Sequence, residues 1–332
     1  MYKTPKIMKA YHFSTPSKGL ERCDVPVPTL QNNQVLVQVK ACGICHTDCN
    51  IVSGIDTTFF WKRPIILGHE IAGLVVSCGA DITKFKVGDA VVSVITPKHP
   101  VELGDVVDSP GIGRDGGFAE YVVLSEDRTL PIPDGVSFAQ AAVATDAVAT
   151  AYHAVVAEGQ ISPESKVAVI GLGGLGLSAV QIAAGLGARV FCVDLDRRKF
   201  PAAALAGAYS SGTTFDSFPG VRFDVVLDFA GAGSSTSAAA KAVKLGGKVI
   251  LVGLASKQAV LDTHLFVALG VKLIGSAGSS LKEVEKSLEL VANNKVQPAL
   301  EEVPFERLAE GVDRLLERNV VGRLYADPSQ NS

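Results

Sequence analysis

The sequence predicts an α/β protein in two parts, an irregular, largely antiparallel β domain and a doubly wound parallel sheet. Three observations carry this. Short β-branched runs broken by turn residues fill roughly the first 150 residues. From Lys166 onward, strand-like runs alternate with helical runs of small residues. A glycine-rich turn joins the first of these strands to its helix.

In the first part, residues 35–39, 72–76 and 90–94 are strand-like. Gln31-Asn32-Asn33, Val87-Gly88-Asp89 and Asp115-Gly116-Gly117 punctuate them. In the second part the order is strand 166–170, helix 174–186, strand 189–194, strand 223–227, helix 234–245, and strands 248–252 and 271–274. After about residue 295 the chain reads as a return segment. The expected domains are therefore 1–150 with 295–332, and 151–294.

Composition narrows the function. The 332 residues are 47% apolar and 20% charged, enough for two ordinary cores. A formal net charge of -3 gives no electrostatic reason to bind nucleic acid or an anionic membrane. Gly, Lys or Asp interrupts every apolar run short of a membrane span, and residues 1–9 have lysines but no apolar signal core. A cytoplasmic location is expected. Six cysteines, scattered over this length, suit metal ligation and packing better than a disulfide framework.

The turn Gly171-Leu172-Gly173-Gly174-Leu175-Gly176 fits G-x-G-x-x-G. It follows the apolar strand Val167-Ala168-Val169-Ile170 and opens a helix, and Asp194 ends the next strand 18 residues beyond Gly176. That context makes the pattern a dinucleotide fingerprint. Gly171 permits the turn, Gly173 lets backbone approach a pyrophosphate, and Gly176 lets helix and strand pack closely. The helix N-terminus offers free N–H groups. Asp194 would bind the adenosine ribose hydroxyls and repel a 2′-phosphate, so NAD(H) is favoured. NADP(H) stays open, because Arg197 and Arg198 follow.

Two segments of the β part carry metal-type donors, Cys42-Gly43-Ile44-Cys45-His46-Thr47-Asp48 and Gly68-His69-Glu70. Thiolate and imidazole are ordinary zinc donors, and a catalytic zinc needs three protein ligands and an open position. Together with Gly116-Gly117-Phe118-Ala119-Glu120-Tyr121 and the glycine loop, in this order, the segments resemble zinc-dependent alcohol dehydrogenases of the medium-chain dehydrogenase/reductase family. The resemblance covers nearly the whole chain. It implies a GroES-like β domain, a Rossmann domain and one catalytic zinc in the cleft between them.

Residue by residue, the resemblance puts Cys45 and His69 on zinc-ligand positions, with Glu70 beside the metal. Thr47 falls on the hydroxyl that contacts the substrate oxygen, and Asp48 on the carboxylate that orients His69. His46 falls near the cofactor pyrophosphate, Lys199 near the adenosine ribose and Arg323 near the pyrophosphate. Gly253, Leu254 and residues 274–278 fall where relatives line the nicotinamide pocket. Cys42 and Cys49, spaced C-x2-C-x3-C with Cys45, read as packed side chains. Phe59, Phe60 and Trp61 form an aromatic cluster that lines the substrate cleft or packs in the core.

The sequence departs from the family in three places. Asp146 stands where the third zinc ligand is commonly Cys; carboxylate oxygen is an acceptable ligand there. No cysteine lies between Val94 and Gly117, so no structural zinc is expected. Asn50, which cannot titrate, stands where many relatives end their proton relay in His.

The expected activity is NAD(P)-linked oxidation of a small-molecule alcohol or reduction of an aldehyde or ketone. The alternatives are a zinc-free enoyl or quinone reductase, and a repurposed fold that binds cofactor or an intermediate for a non-redox step. A homodimer or tetramer is expected, because the 271–274 strand would leave an open sheet edge.

Overall fold

The computed structural model describes residues 4–55 and 63–331. Phe59, Phe60 and Trp61 lie outside the described residues. The chain divides into two compact units, Met1–Asp146 with Gly278–Asn293 and Ala299–Ser332, and Ala147–Ala277 with Asn294–Pro298. Among the described residues no helix is long and apolar enough to cross a membrane.

The first unit opens with β1 (Ile7–Phe13), β2 (Leu20–Pro26), β3 (Gln34–Ile44), β4 (Ile65–Ile66), β5 (Glu70–Cys78), β6 (Ala90–Ser93), β7 (Tyr121–Ser125) and β8 (Thr129–Pro131). The second contributes β9 (Lys166–Ile170), β10 (Arg189–Val193), β11 (Ser210–Gly212), β12 (Phe223–Asp228), β13 (Val243–Leu251) and β14 (Lys272–Gly275). The chain then returns through β15 (Leu300–Glu302) and β16 (Arg323–Ala326) to the first unit.

In the first unit β2-β1-β4 form a small sheet, and a larger one runs β15-β16-β3-β5-β6-β8, with β7 paired to β3. β3 is the pivot. Its Val-Leu-Val-Gln-Val run is buried on both faces, so it reads as a nearly continuous apolar strand rather than an alternating one. Phe13, Ile44, Leu67, Ile71, Phe118 and Leu124 fill the core around it. The site depends on one local order. β16, β3 and β5 are neighbours, both outer strands running antiparallel to β3. The end of β3 therefore meets the starts of β5 and β16.

The second unit is a six-stranded parallel sheet, order β11-β10-β9-β12-β13-β14. β9 is buried from Val167 to Ile170, as a central strand covered on both faces must be. Phe191, Phe218 and Phe223 pack edge to face, with centroids 5.2 and 5.4 Å from Phe191.

Two expectations need correction. The helix beginning at Ser234 ends at Ala242, because Val243 already pairs with Phe223 of β12. The helix Leu281–Ala292 belongs to the first unit, where the sequence reading kept it in the second. Its entry is tied to the 95–97 segment: the Thr96 hydroxyl donates to the Ser279 carbonyl (2.8 Å) and the Leu281 N–H to that of Pro97 (3.2 Å).

The cysteine-free lobe is braced by the chain's own groups. Buried Arg128 donates to the Ile95 carbonyl at 2.5 Å and lies 3.6 Å from Asp105. The Ser109 hydroxyl donates to the carbonyls of Ile95 and Asp105. Arg128→Met should therefore lower the unfolding free energy by about 1–3 kcal/mol, as read by chemical denaturation, and leave the bound zinc per chain unchanged. Loss of zinc in step with stability would show that the lobe holds metal.

Candidate metal centre and dinucleotide loop

Cys45 leaves β3 with extended backbone and caps the helix His46–Val52. Its Sγ accepts from the Thr47 N–H at 3.5 Å, while Asp48 Oδ2 accepts from the Cys45 N–H at 2.9 Å. This reciprocal cap fixes the direction of the thiol. The other Asp48 oxygen accepts from the Gly68 N–H (3.2 Å) and lies 3.4 Å from His69 Nδ1. Asp48 thus joins both ligand segments and is itself fully buried.

Asp146 reaches the same point from a widened helical turn, Ala144–Val148. Its Oδ2 is 3.4 Å from Cys45 Sγ and 3.7 Å from His69 Nε2. The three donor atoms all lie within 4.8 Å of one another. Bond lengths of about 2.0–2.3 Å in a tetrahedral shell require donor separations of about 3.3–3.8 Å, the range in which the two printed separations fall. Among the described residues this is the one such cluster of three or more donors.

The electrostatics also fit a cation. Burial alone would lower the pKa of His69, but Asp48 and Asp146 outweigh it and hold the imidazole well above its ordinary value. Nδ1 is buried without a well-formed hydrogen bond. A zinc ion held by Cys45, His69 and Asp146 would supply the positive charge that these carboxylates otherwise draw from a proton.

The family resemblance places Arg323, at the start of β16, near the pyrophosphate. In the structure its guanidinium is 3% exposed and pairs with both oxygens of fully buried Glu70. It also donates to Asp146 Oδ2 at 2.9 Å. No local sequence signal marks this bridge from Glu70 to a metal-type donor. Burial raises the Glu70 carboxyl above its usual range; Arg323 opposes the shift and Asp146 adds to it.

Cys42 and Cys49 are fully buried, and burial pushes both thiols up, well above the usual value for Cys42. Cys49 Sγ faces the Val312 carbonyl at 3.7 Å. They are packed, protonated thiols. His46 is exposed, whereas Thr47 is half-buried with Oγ1 3.6 Å from Cys45 Sγ.

In the second unit, Gly173 caps the helix Gly174–Gly185 with extended backbone. At Gly176 a Cβ would stand 1.8 Å from the Gly171 carbonyl oxygen, so the loop closes only on glycine. Asp194, just past β10, accepts from the Leu172 N–H (2.7 Å), the Asp196 N–H (2.9 Å) and Lys199 Nζ (3.0 Å). Asp194 and Lys199 are thus brought against the glycine loop. Gly174 and Leu175 are half-buried in the first helical turn, Gly253 packs its backbone against residues 229–230, and Leu254 is 61% exposed.

A GroES-like unit with a Cys/His/Asp cluster, in one chain with a glycine-loop parallel sheet, defines a zinc-binding dehydrogenase class. Comparison with known proteins agrees. Residues 31–134 match the alcohol dehydrogenase GroES-like domain, and 174–293 the zinc-binding dehydrogenase domain. Residues 139–207 also match the alanine dehydrogenase/PNT C-terminal domain. An alcohol dehydrogenase of Geobacillus stearothermophilus is 32% identical, over 96% of this chain and 98% of that one. An NADP-dependent alcohol dehydrogenase C of Mycolicibacterium smegmatis is 28% identical, over 96% and 97%. The structure of acetophenone reductase from Geotrichum candidum in complex with NAD superposes with a TM-score of 0.90, at 30% identity and 98% coverage of both chains. The chain belongs to the alcohol dehydrogenase family of medium-chain dehydrogenases/reductases.

Proposed function

We propose that this chain is a zinc-dependent, NAD-preferring oxidoreductase that interconverts alcohols with aldehydes or ketones. The observation that carries it is the convergence of Cys45, His69 and Asp146 donor atoms in a member of a family whose relatives include NAD(P)-linked alcohol dehydrogenases and a carbonyl reductase. The same convergence disfavours the zinc-free reductase reading. When bound, zinc supplies Lewis acidity toward the substrate oxygen, and nicotinamide the hydride acceptor or donor.

The chain's own residues do the rest. Thr47, half-buried beside Cys45, takes the substrate hydroxyl proton in alcohol oxidation and returns it in carbonyl reduction. Asp48 keeps His69 oriented from Nδ1, leaving Nε2 toward the ligand cluster. Asn50 does not titrate, so the relay leaves Thr47 by the ribose hydroxyl and solvent or through exposed His46. Purified protein should hold about one zinc per chain and turn over NAD+ with a panel of alcohols. No zinc after chelator-free purification, or turnover untouched by zinc removal, refutes the reading.

Cofactor choice rests on Asp194. Its carboxylate is fixed by two N–H groups at the strand end, where a ribose 2′-phosphate would meet negative charge. Of the two arginines that could favour NADP, Arg197 and Arg198, the second is paired with Asp196 at 2.9 Å. Asp194→Ser should narrow the preference for NAD+ over NADP+ by about tenfold or more in kcat/KM. A wild-type enzyme that already prefers NADP+ contradicts the assignment.

Two further parts of the proposal concern assembly and place. β14 ends the sheet order, and Leu273 on it and Val267 on the helix just before it are 37% and 86% exposed, which supports a homodimer through this edge. Light scattering should give two chains, or four, at micromolar concentration, not one. Six free thiols suit a reducing, cytoplasmic compartment.

A further inference from the structure

The run Gly116-Gly117-Phe118 has no part in the chemistry above, yet the fold lays it against the segment that carries His69. The N–H groups of Gly116, Gly117 and Phe118 donate to the carbonyls of Ile66 (2.8 Å), Gly68 (2.7 Å) and Leu67 (3.0 Å). Asp115 Oδ1 accepts from the Ile66 N–H at 3.0 Å. The end of the cysteine-free lobe is thus laced to the three residues that precede a metal-type donor.

Gly68 has no slack inside this lacing. Its φ of 88° lies in the left-handed region, which glycine enters without strain. A Cβ on it would stand 2.4 Å from the Phe118 ring and 2.7 Å from Cys42 Sγ. One on Gly111 would stand 2.3 Å from the Gly68 oxygen and 2.7 Å from the His69 nitrogen. One on Gly116 would meet the same oxygen at 2.3 Å and the Gly111 Cα at 2.4 Å. Three glycines therefore lie backbone to backbone at the peptide that leads into His69. The His69 carbonyl is tied as well, by the hydroxyl of fully buried Ser93 at 3.4 Å.

The turn that brings Gly111 here closes on itself. The Gly111 N–H donates to the Arg114 carbonyl at 2.8 Å, and those of Gly113 and Arg114 to the Ser109 carbonyl, each at 3.0 Å. Its own hydrogen bonds, rather than Arg128, set its shape.

We propose that the turn 109–116 is the positioning element for His69. Gly111 and Gly116 fix the Gly68–His69 peptide, and with it the imidazole that faces Cys45 and Asp146. The inference rests on the zinc reading of that cluster. Ordinary contacts between carbon atoms need about 3.5 Å, so a methyl group at Gly116 must push this backbone by about 1 Å. A metal–ligand bond tolerates only about 0.2 Å.

Gly116→Ala should therefore weaken zinc by about tenfold or more, read by chelator competition on the folded protein. Gly79→Ala is the control. Its Cβ would meet the Asn32 and Gln31 carbonyl oxygens at 2.3 Å each, a backbone clash of the same size just past the far end of β5. It should lose stability in urea, as Gly116→Ala does, and keep zinc within about twofold. Asp115→Ala removes the tie to Ile66 without adding an atom, and should weaken zinc by about threefold. It decides alone if Gly116→Ala fails to fold. Unchanged zinc affinity in the folded turn variants overturns the proposal. Equal weakening in Gly79→Ala also overturns it, since a general loosening of the unit would do that. A wild-type chain that binds no zinc overturns the zinc reading, and this inference with it.

Discussion

Replacing Asp146 with Ala is expected to remove most of the bound zinc and most of the alcohol turnover, with NAD+ affinity close to wild type. Asp146 Oδ2 is the donor atom that lies 3.4 Å from Cys45 Sγ and 3.7 Å from His69 Nε2. Without it two ligands remain. Disturbing only the hydrogen-bond support of a metal ligand costs about 10–100-fold in affinity, so losing a ligand should cost at least about 100-fold. The glycine loop and Asp194 are untouched, which is why nucleotide binding should persist. Asp146→Cys should keep the metal. Carboxylate oxygen is a harder and weaker donor than thiolate, so the Cys variant should hold a less acidic zinc and turn over more slowly. Full zinc occupancy in Asp146→Ala, measured by elemental analysis, would falsify the ligand assignment and point to Glu70 as its replacement.

Replacing Arg323 with Met is the second large effect. Its guanidinium pairs with buried Glu70 and donates to Asp146. Taking one partner from a buried pair leaves an uncompensated charge and costs about 3–5 kcal/mol. The zinc-loaded variant should therefore lose that much stability in urea. The double variant Arg323→Met/Glu70→Met should recover a substantial part, because both charges leave together. Arg323→Lys should fall between, since an ammonium cannot fork across Glu70 and still reach Asp146. An Arg323→Met chain as stable as wild type would mean that solvent or a neighbouring group already balances Glu70.

Much of this architecture is legible in the sequence because it rests on local chemistry. The glycine loop lies between an apolar strand and a helix, and β9, β10 and β12 are β-branched runs bounded by turns. The Cys45 cap is local too, since Asp48 stands at the position that answers its N–H. The Glu70–Arg323 pair is 253 residues apart and is made only by strand order. Tyr325, Gly43 and Glu70 sit opposite one another across β16, β3 and β5. At Gly43 a Cβ would lie 1.7 Å from Glu70 Oε2, so the missing side chain is the space through which Glu70 reaches its arginine. No periodicity reveals that space. The helix Leu281–Ala292 is hard to place for a similar reason: it follows β14 as the next crossover helix would, and contacts far away in sequence assign it to the first unit.

The most direct test of the zinc-dependent reading is a titration of the stripped enzyme. Zinc is removed with a chelator, NAD+ binding is verified, and zinc is returned in measured amounts while NADH formation from a reactive alcohol is followed. Activity should be nearly absent at the start, rise in proportion to added zinc, and level off at about one ion per chain. Undiminished turnover in the stripped protein would contradict the account, as would a plateau reached only at two ions.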